Sequence, residues 1–301
     1  MKKRVLVTGG AGFIGSHLSQ ALCDNGYDVV ILDNLSYGKK EWIPTQAHFI
    51  EGDMINLDVC RQAMTGVEGV FHCAAMSRAG PSLRNSDICT QNNIVGTQHI
   101  LEAAREAQVK KIIYSGSSTY YGNQPVPHRE LETPSQFLNF YALSKYVGEQ
   151  YCLLFDEVFD LPCIVLRYFN VYGPRQPQQG AYALVMGIFL HQWFNNTALC
   201  IHGEGEQRRD FIHVNDVVAA NIKAFESPVR HDIFNIGSGT TISIRELADK
   251  ISPHQRYEAR RSGDAEITLA DITHAKNILK WAPTVTLDEG LADIMTHFKT
   301  E

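Results

Sequence analysis

The stretch VLVTGGAGFIGSHL, Val5 to Leu18, constrains the fold of this chain more than any other part of it. An apolar run stops abruptly at a glycine cluster, in which Gly10, Gly12 and Gly15 satisfy G-x-G-x-x-G and Gly9, Gly12 and Gly15 satisfy G-x-x-G-x-x-G. A strand must turn sharply into a helix here, the backbone must approach a ligand closely, and the helix must pack against the strand. A Cβ obstructs all three. The helix start also turns unbonded N–H groups and the positive end of its dipole toward an anion such as a pyrophosphate. Glycine-rich turns are common, but this one follows a strand, opens an amphipathic helix, and is followed by Asp33 closing the next strand 18 residues after Gly15. A strand-ending aspartate can simply cap a turn. In this context it predicts a carboxylate that accepts from an adenosine ribose and repels a 2′-phosphate. No arginine or lysine lies in Asn34, Leu35 or Ser36, so the expected cofactor is NAD rather than NADP.

The same kind of apolar run recurs in RVLVTGG, VVILDN, HFIEGD, VEGVFHCAA, KKIIYSG, PCIVLRYF and DIFNIG. None alternates with polar residues, which predicts parallel strands buried on both faces. Candidate helices fall between them at Gly12 to Asn25, Leu57 to Met64, Asp87 to Ala107 and Tyr141 to Phe159. The expected fold is α/β, a doubly wound parallel sheet of Rossmann type with a smaller mixed α/β lobe. From YGPRQPQQG onward the rhythm is lost, and DFIHVNDVVAANIKAFES with DIFNIG returns to it. Residues 1–170 plus about 211–238 are therefore expected to form the cofactor domain, and about 171–210 plus 239–301 the substrate lobe.

Charge and composition exclude several classes. A net charge of -6 argues against nucleic acid as the main partner. The apolar start Val5 to Val7 is too short for a signal-peptide core, and AYALVMGIFLHQWF reaches His191 too soon to span a bilayer. A cytoplasmic protein without membrane contact is expected. The seven cysteines are scattered without C-x-x-C, and the twelve histidines show no H-E-x-x-H, so neither disulfides nor a metal site is expected.

Tyr141 and Lys145 lie four residues apart, on one face of a predicted helix. Tyrosine and lysine at that spacing usually form a solvated edge. Here the pair opens the helix after KKIIYSG, in a chain whose first strand already predicts a nicotinamide cofactor. A phenol with a pKa of about 10 is a poor base at neutral pH, but a nearby ammonium favours the phenolate. Lys145 supplies that charge.

With these residues the chain resembles the extended short-chain dehydrogenases/reductases, and within them the nucleotide-sugar epimerases and dehydratases typified by UDP-glucose 4-epimerase. The resemblance runs nearly end to end, through TGGAGFIGSHL, Asp33, EGDMIN, HCAA, NIVGT, SGSSTYYG, YALSK, LRYFNVYGPRQ, GEGEQRRDFIHVNDV, FNIGSG and RSGDAEITLAD. It implies cofactor contacts from Gly9, Gly12, Phe13, Ile14, Gly15, Asp33, Asn34, Asp53, Met54, Ala74, Ala75, Asn93 and Tyr168, besides Tyr141 and Lys145. Tyr141 would act as base toward a sugar 4-hydroxyl, Lys145 would hold the nicotinamide ribose and depress the tyrosine pKa, and Ser117 would hydrogen-bond the sugar oxygen. The resemblance also implies that Ser118, Asn170, Arg209, Arg261, Asp264 and Thr268 face a nucleoside-diphosphate sugar. Arginine suits a diphosphate because its planar fork donates two bonds.

Dehydratases of the family carry Thr-Asp-Glu where this chain has Ser117, Ser118 and Thr119, and decarboxylases usually keep a glutamate at the position of Thr119. Without an acid there, elimination is disfavoured and a 4-epimerase of a UDP-hexose, UDP-N-acetylhexosamine or UDP-hexuronate is expected. A 4-reductase of the same family would differ in net consumption of reduced cofactor, and a non-catalytic NAD-sensing protein would typically lack the tyrosine or lysine. Arg78 and Arg84, in SRAGPSLRNS, are candidates for recognising an acidic sugar, although solvent-facing arginines are as common. Thr268 stands where a large tyrosine would restrict the sugar C2 substituent. The helices from Asn93 to Ala107 and from Tyr141 to Phe159 are expected to pair with their copies in a homodimer, as the family often does.

Overall fold

The structure, a computed structural model, describes residues 2–77, 79–132, 136–180, 183–259 and 265–297. The first half runs β1 (Arg4–Thr8), α1 (Phe13–Asp24), β2 (Asp28–Asp33), β3 (His48–Glu51), α2 (Leu57–Ala63), β4 (Gly69–His72), α3 (Ala79–Arg84), α4 (Ser86–Thr90), α5 (Gly96–Glu106), β5 (Lys111–Ser117) and α6 (Phe140–Phe159). The second half runs β6 (Cys163–Tyr168), β7 (Asn170–Tyr172), α7 (Val185–Phe194), β8 (Leu199–His202), β9 (Arg208–Arg209), β10 (Phe211–His213), α8 (Val214–Glu226), β11 (Asp232–Ile236), β12 (Ile242–Ser243), α9 (Ile244–Ile251), β13 (Gln255–Glu258), α10 (Thr273–Ile278) and α11 (Leu287–His297).

All seven apolar runs join one parallel sheet in the order β11-β6-β5-β4-β1-β2-β3. Their lack of alternation has a simple cause in the inner strands, where both faces are covered, whereas β3 at the sheet edge is only partly buried, with His48 and Glu51 exposed. Val5, Val7, Ile31, Phe71, Ile113 and Leu166 belong to one buried cluster, and Leu6, Val30, Leu32, Val70, Ile112 and Val165 to the other. The strand order reverses between β1, which continues outward to β2, and β4, its neighbour on the other side. That switch point leaves a crevice at the carboxyl ends of β1 and β4, the usual place for a ligand in such sheets.

A third buried cluster, with Tyr172, Phe189, Leu190, Ile201, Leu247 and Ile294, lies under α7, α9 and α11. Two-strand pairings β10-β7, β12-β9 and β13-β8 accompany it. The predicted helix from Asp87 to Ala107 is interrupted: Gln91–Val95 is a π-helical turn between α4 and α5. The segment around Pro81 forms the short helix α3, which loop chemistry in the sequence did not announce. Among the described residues no helix is long and apolar enough to cross a membrane.

Candidate active site

The crevice at the switch point is a cavity of about 1000 Å³. Its floor is the glycine turn. Gly9 sits at φ +69, where a Cβ would be 2.8 Å from the Ala74 nitrogen, and a Cβ on Gly15 would collide with the Gly9 carbonyl oxygen. Phe13, Ile14 and Gly15 line the cavity at the start of α1, whose cap residue Gly12 offers no side chain to its first N–H groups. The first turn of α1 therefore keeps both the room and the donors for a pyrophosphate. Asp33, at the end of β2, accepts from the Ala11 nitrogen at 3.0 Å and the Leu35 nitrogen at 2.8 Å, which fixes its carboxylate at the cavity wall. Asn34 donates to Asp53 at 2.8 Å, so these two wall residues set each other's orientation beside Met54. A cradle that a Cβ would fill and a carboxylate fixed at the cavity wall fit a dinucleotide.

At the other end of the cavity stand Ser117, Ser118, Tyr141, Lys145, Tyr168 and Asn170, with Ala74 and Ala75 between. Each is placed by its own element. Ser117 ends β5, and its hydroxyl accepts from the Thr119 nitrogen at 3.3 Å and lies 2.8 Å from the Thr119 hydroxyl. Asn139 caps α6 by accepting from the Ala142 nitrogen at 2.9 Å, and the Tyr141 nitrogen donates to the Ser82 hydroxyl at 3.0 Å. Ser82, on α3, thus helps hold the first turn of α6, a role that only tertiary packing reveals. Lys145 follows one turn on. It is buried, and burial pulls its pKa from the ordinary 10.5 down to about 8. The Tyr168 hydroxyl is tied to Asn221 at 2.8 Å and accepts from Ser115 at 3.2 Å; burial pushes its pKa far up, so it stays neutral.

Several residues expected at the site sit elsewhere. Asn93 does not line the cavity but lies beneath it on the π turn. It accepts from the Met76 nitrogen at 2.7 Å and donates to the Met76 oxygen at 2.9 Å and the Ser144 hydroxyl at 2.9 Å, clamping a cavity-wall segment to α6. The extra residue of a π turn is what aims it there. Thr268 accepts from Asn170 at 3.2 Å and from the Asp210 nitrogen at 3.2 Å, so it braces Asn170 from behind. Arg209 donates to the backbone oxygens of Arg208 and Glu266 at 2.9 and 3.3 Å. Arg84 is exposed on α3 and away from the cavity wall. Arg78, Arg261 and Asp264 lie outside the described residues.

The structure also adds wall residues that the sequence reading did not single out: Ser36, Tyr37, Lys39 and Trp42 near Asp33, and Arg175 and Gln176 opposite. The Lys39 nitrogen donates to the Ala11 oxygen at 2.9 Å, folding its loop back over the glycine turn, and Arg175 donates to Ser16 at 3.1 Å. The tripeptide pattern Asn34 to Ser36 was too short a window to include Lys39. Among the described residues the one grouping with metal-ligand chemistry is Cys200, His202 and Glu258, whose ligand atoms lie within 4.8 Å of one another. It is away from the cavity wall, and Arg256 occupies Glu258 at 2.9 Å.

The family profile described as "NAD dependent epimerase/dehydratase family" matches residues 5–237. The chain belongs to this family. Its cofactor is NAD. A putative UDP-glucose 4-epimerase of Methanocaldococcus jannaschii is 37% identical over 98% of this chain and 98% of its own. A UDP-N-acetyl-alpha-D-glucosaminuronate decarboxylase of Bacillus cytotoxicus is 31% identical over 99% and 98%. Among solved structures, UDP-glucose 4-epimerase from Thermotoga maritima with UDP-glucose superposes with a TM-score of 0.95 at 36% identity, covering 99% of both chains.

Proposed function

We propose that this enzyme is an NAD-dependent 4-epimerase of a UDP-sugar, with Tyr141, Lys145 and Ser117 as its catalytic residues. The observation that carries the reading is the wall beside Tyr141: Ser118 and Thr119 line the cavity where an eliminating enzyme needs a carboxylic acid, and among the described residues the acidic side chains of the wall, Asp33 and Asp53, stand by the glycine turn at the end proposed for adenosine. NAD, when bound, supplies an acceptor and then a donor of hydride. Tyr141 takes the proton of the sugar 4-hydroxyl and later returns it. Lys145 is cationic below about pH 8, and its charge one turn from Tyr141 favours the phenolate. Ser117 donates to the sugar oxygen where charge develops. Asn170, Arg175 and Gln176 face the remainder of the substrate. Relatives named for glucose, glucuronate and N-acetylglucosamine nucleotides leave the choice of sugar open.

The α6 residues Leu143, Val147, Leu154 and Val158 form one stripe, and Leu154 and Val158 are 54% and 58% exposed. This apolar face supports pairing with a second copy through α5 and α6, which light scattering on the purified protein tests. A monomer at micromolar concentration would refute it.

The functional test is incubation with UDP-hexoses, UDP-N-acetylhexosamines and UDP-hexuronates, followed by NMR of the C4 configuration. Inversion at C4 without net cofactor consumption is expected for one class, and Tyr141→Phe should lower kcat at least about 100-fold while still binding NAD. Loss of water or carbon dioxide from the sugar would overturn the epimerase reading.

A further inference from the structure

The first residue of the YSGSSTYYG segment, Tyr114, is buried behind the site and absent from the cavity wall, yet it makes two contacts with the catalytic lysine. The Lys145 Nζ lies 4.1 Å from the centroid of the Tyr114 ring, and the Tyr114 hydroxyl donates to the Lys145 backbone oxygen at 3.2 Å. Among the described residues no acceptor takes a hydrogen bond from Nζ, so the ring face is the protein group against which this buried ammonium rests. Gly148 makes the seat: a Cβ there would collide with the Tyr114 hydroxyl.

The ring is itself held. His72 lies against it with ring centroids 5.6 Å apart. Thr97 gives its proton to the Asn93 oxygen at 2.7 Å and so accepts from His72 Nε2 at 3.0 Å. Thr8, which accepts from the Ala74 nitrogen at 3.1 Å, gives its proton to His72 Nδ1 at 2.7 Å. Every donor and acceptor is matched only if His72 is neutral, with its proton on Nε2. Burial agrees, holding the His72 pKa at about 3. A second cation is thereby kept from competing for the ring, and the strand end that carries the glycine turn is joined through His72 to the lysine.

We infer that Tyr114 is a positioning residue for catalysis, an aromatic platform whose face holds the Lys145 ammonium charged and correctly placed and whose hydroxyl fixes the α6 backbone. The inference rests on the proposed role of Lys145. A buried ammonium over a ring face gains an attraction that an aliphatic side chain cannot supply. The other titratable groups facing Lys145 are Cys152 and Glu149 on α6, Cys89 on α4, Cys73 after β4, His72 on β4, and Tyr141. Burial raises the pKa of Cys73 and Cys89, so these thiols stay neutral where Lys145 titrates.

The test is NMR of the NAD-loaded protein labelled with ¹³C-lysine, with the Lys145 signal assigned by its loss in Lys145→Arg. In the wild type the ε-methylene should be shifted upfield by the ring current and titrate near pH 8. Tyr114→Phe should keep both features. Tyr114→Leu should lose the upfield shift and titrate about one pH unit lower, and the alkaline limb of its kcat profile should move down with it while KM changes less than threefold. A wild-type signal without an upfield shift overturns the inference even if Tyr114→Leu fails to fold, and so does a Leu variant that titrates with the Phe variant. These spectra need no turnover: a protein that shows the shift but epimerises no UDP-sugar would refute the proposed reaction, not the platform.

Discussion

Gly15 shows what a single residue can decide. Its missing Cβ is required by contact and not by conformation, since Gly15 lies within α1 and a methyl there would strike the Gly9 carbonyl and lie 3.0 Å from the Gly10 Cα. Gly15→Ala should therefore push the first turn of α1 off the glycine loop and weaken NAD binding at least tenfold, measured by isothermal titration calorimetry. Gly26 is the comparison: it has φ +83 but open space around it, so Gly26→Ala should cost about 1 kcal/mol of stability and leave NAD affinity unchanged. Equal loss of affinity in both would show that general loss of stability, not close backbone approach at Gly15, governs NAD binding. Gly15 was legible in the sequence because its motif records a backbone constraint. The clamping roles of Asn93, expected as a cofactor contact, and of Ser82 were not, because each acts through partners 17 to 59 positions away, Met76 for Asn93 and Tyr141 for Ser82. Nothing in NIVGT or GPSLR announces those partners.

At the scale of the element, α6 does more than present a tyrosine and a lysine. Continuing the Tyr141–Lys145 stripe by one turn gives Glu149, fully buried, which accepts from Arg167 on β6 at 3.0 and 2.6 Å and from the Tyr120 hydroxyl. Arg167 in turn donates to Tyr121 at 2.6 Å and lies over the rings of Tyr120 and Tyr121. One ion pair thus joins α6, the central sheet and the turn that follows Ser117. Such a pair is not a net gain over an apolar replacement, but removing one partner strands the other charge. Glu149→Gln should destabilise the protein by roughly 3 kcal/mol in urea unfolding and loosen the Ser117 turn, seen as a fall in kcat. A change below about 1 kcal/mol would mean that water reaches Arg167. The sequence made α6 readable as a helix, with one end off by a single residue. It did not make the π turn at Gln91–Val95 readable, because i→i+5 bonding leaves no hydrophobic period of its own.

Across the whole molecule the sheet was legible and the second layer of contacts was not, for one reason: buried parallel strands must be apolar along their whole length, whereas a buried polar group needs only a partner, and the partner is set by tertiary packing. The histidines illustrate this. His17, His72, His128 and His213 sit on different elements, and burial lowers the pKa of each. The unfolded chain protonates them near 6.5, so below that pH it binds more protons than the folded chain. Stability is fully present above about pH 6.5 and is lost as the pH falls through the window down to the folded values, at up to about 1.4 kcal/mol per pH unit for each histidine. Asp210 and Glu130, whose pKa values burial raises, take up protons in the folded state and oppose the loss in the lower part of the window. His128 offers the clean test. Its ring is stacked on Tyr121 with centroids 4.7 Å apart and lies 6.2 Å from Phe169, and both ring nitrogens are buried with no partner among the described residues. His128→Phe keeps the stack and removes one titration. Urea midpoints between pH 7 and pH 5 should fall less steeply in this variant, leaving it about 1 kcal/mol better off at pH 5 relative to its own pH 7 value. Parallel pH curves for the two proteins would show that His128 gains a proton without cost in the folded state, and that the acid sensitivity resides in the other three histidines.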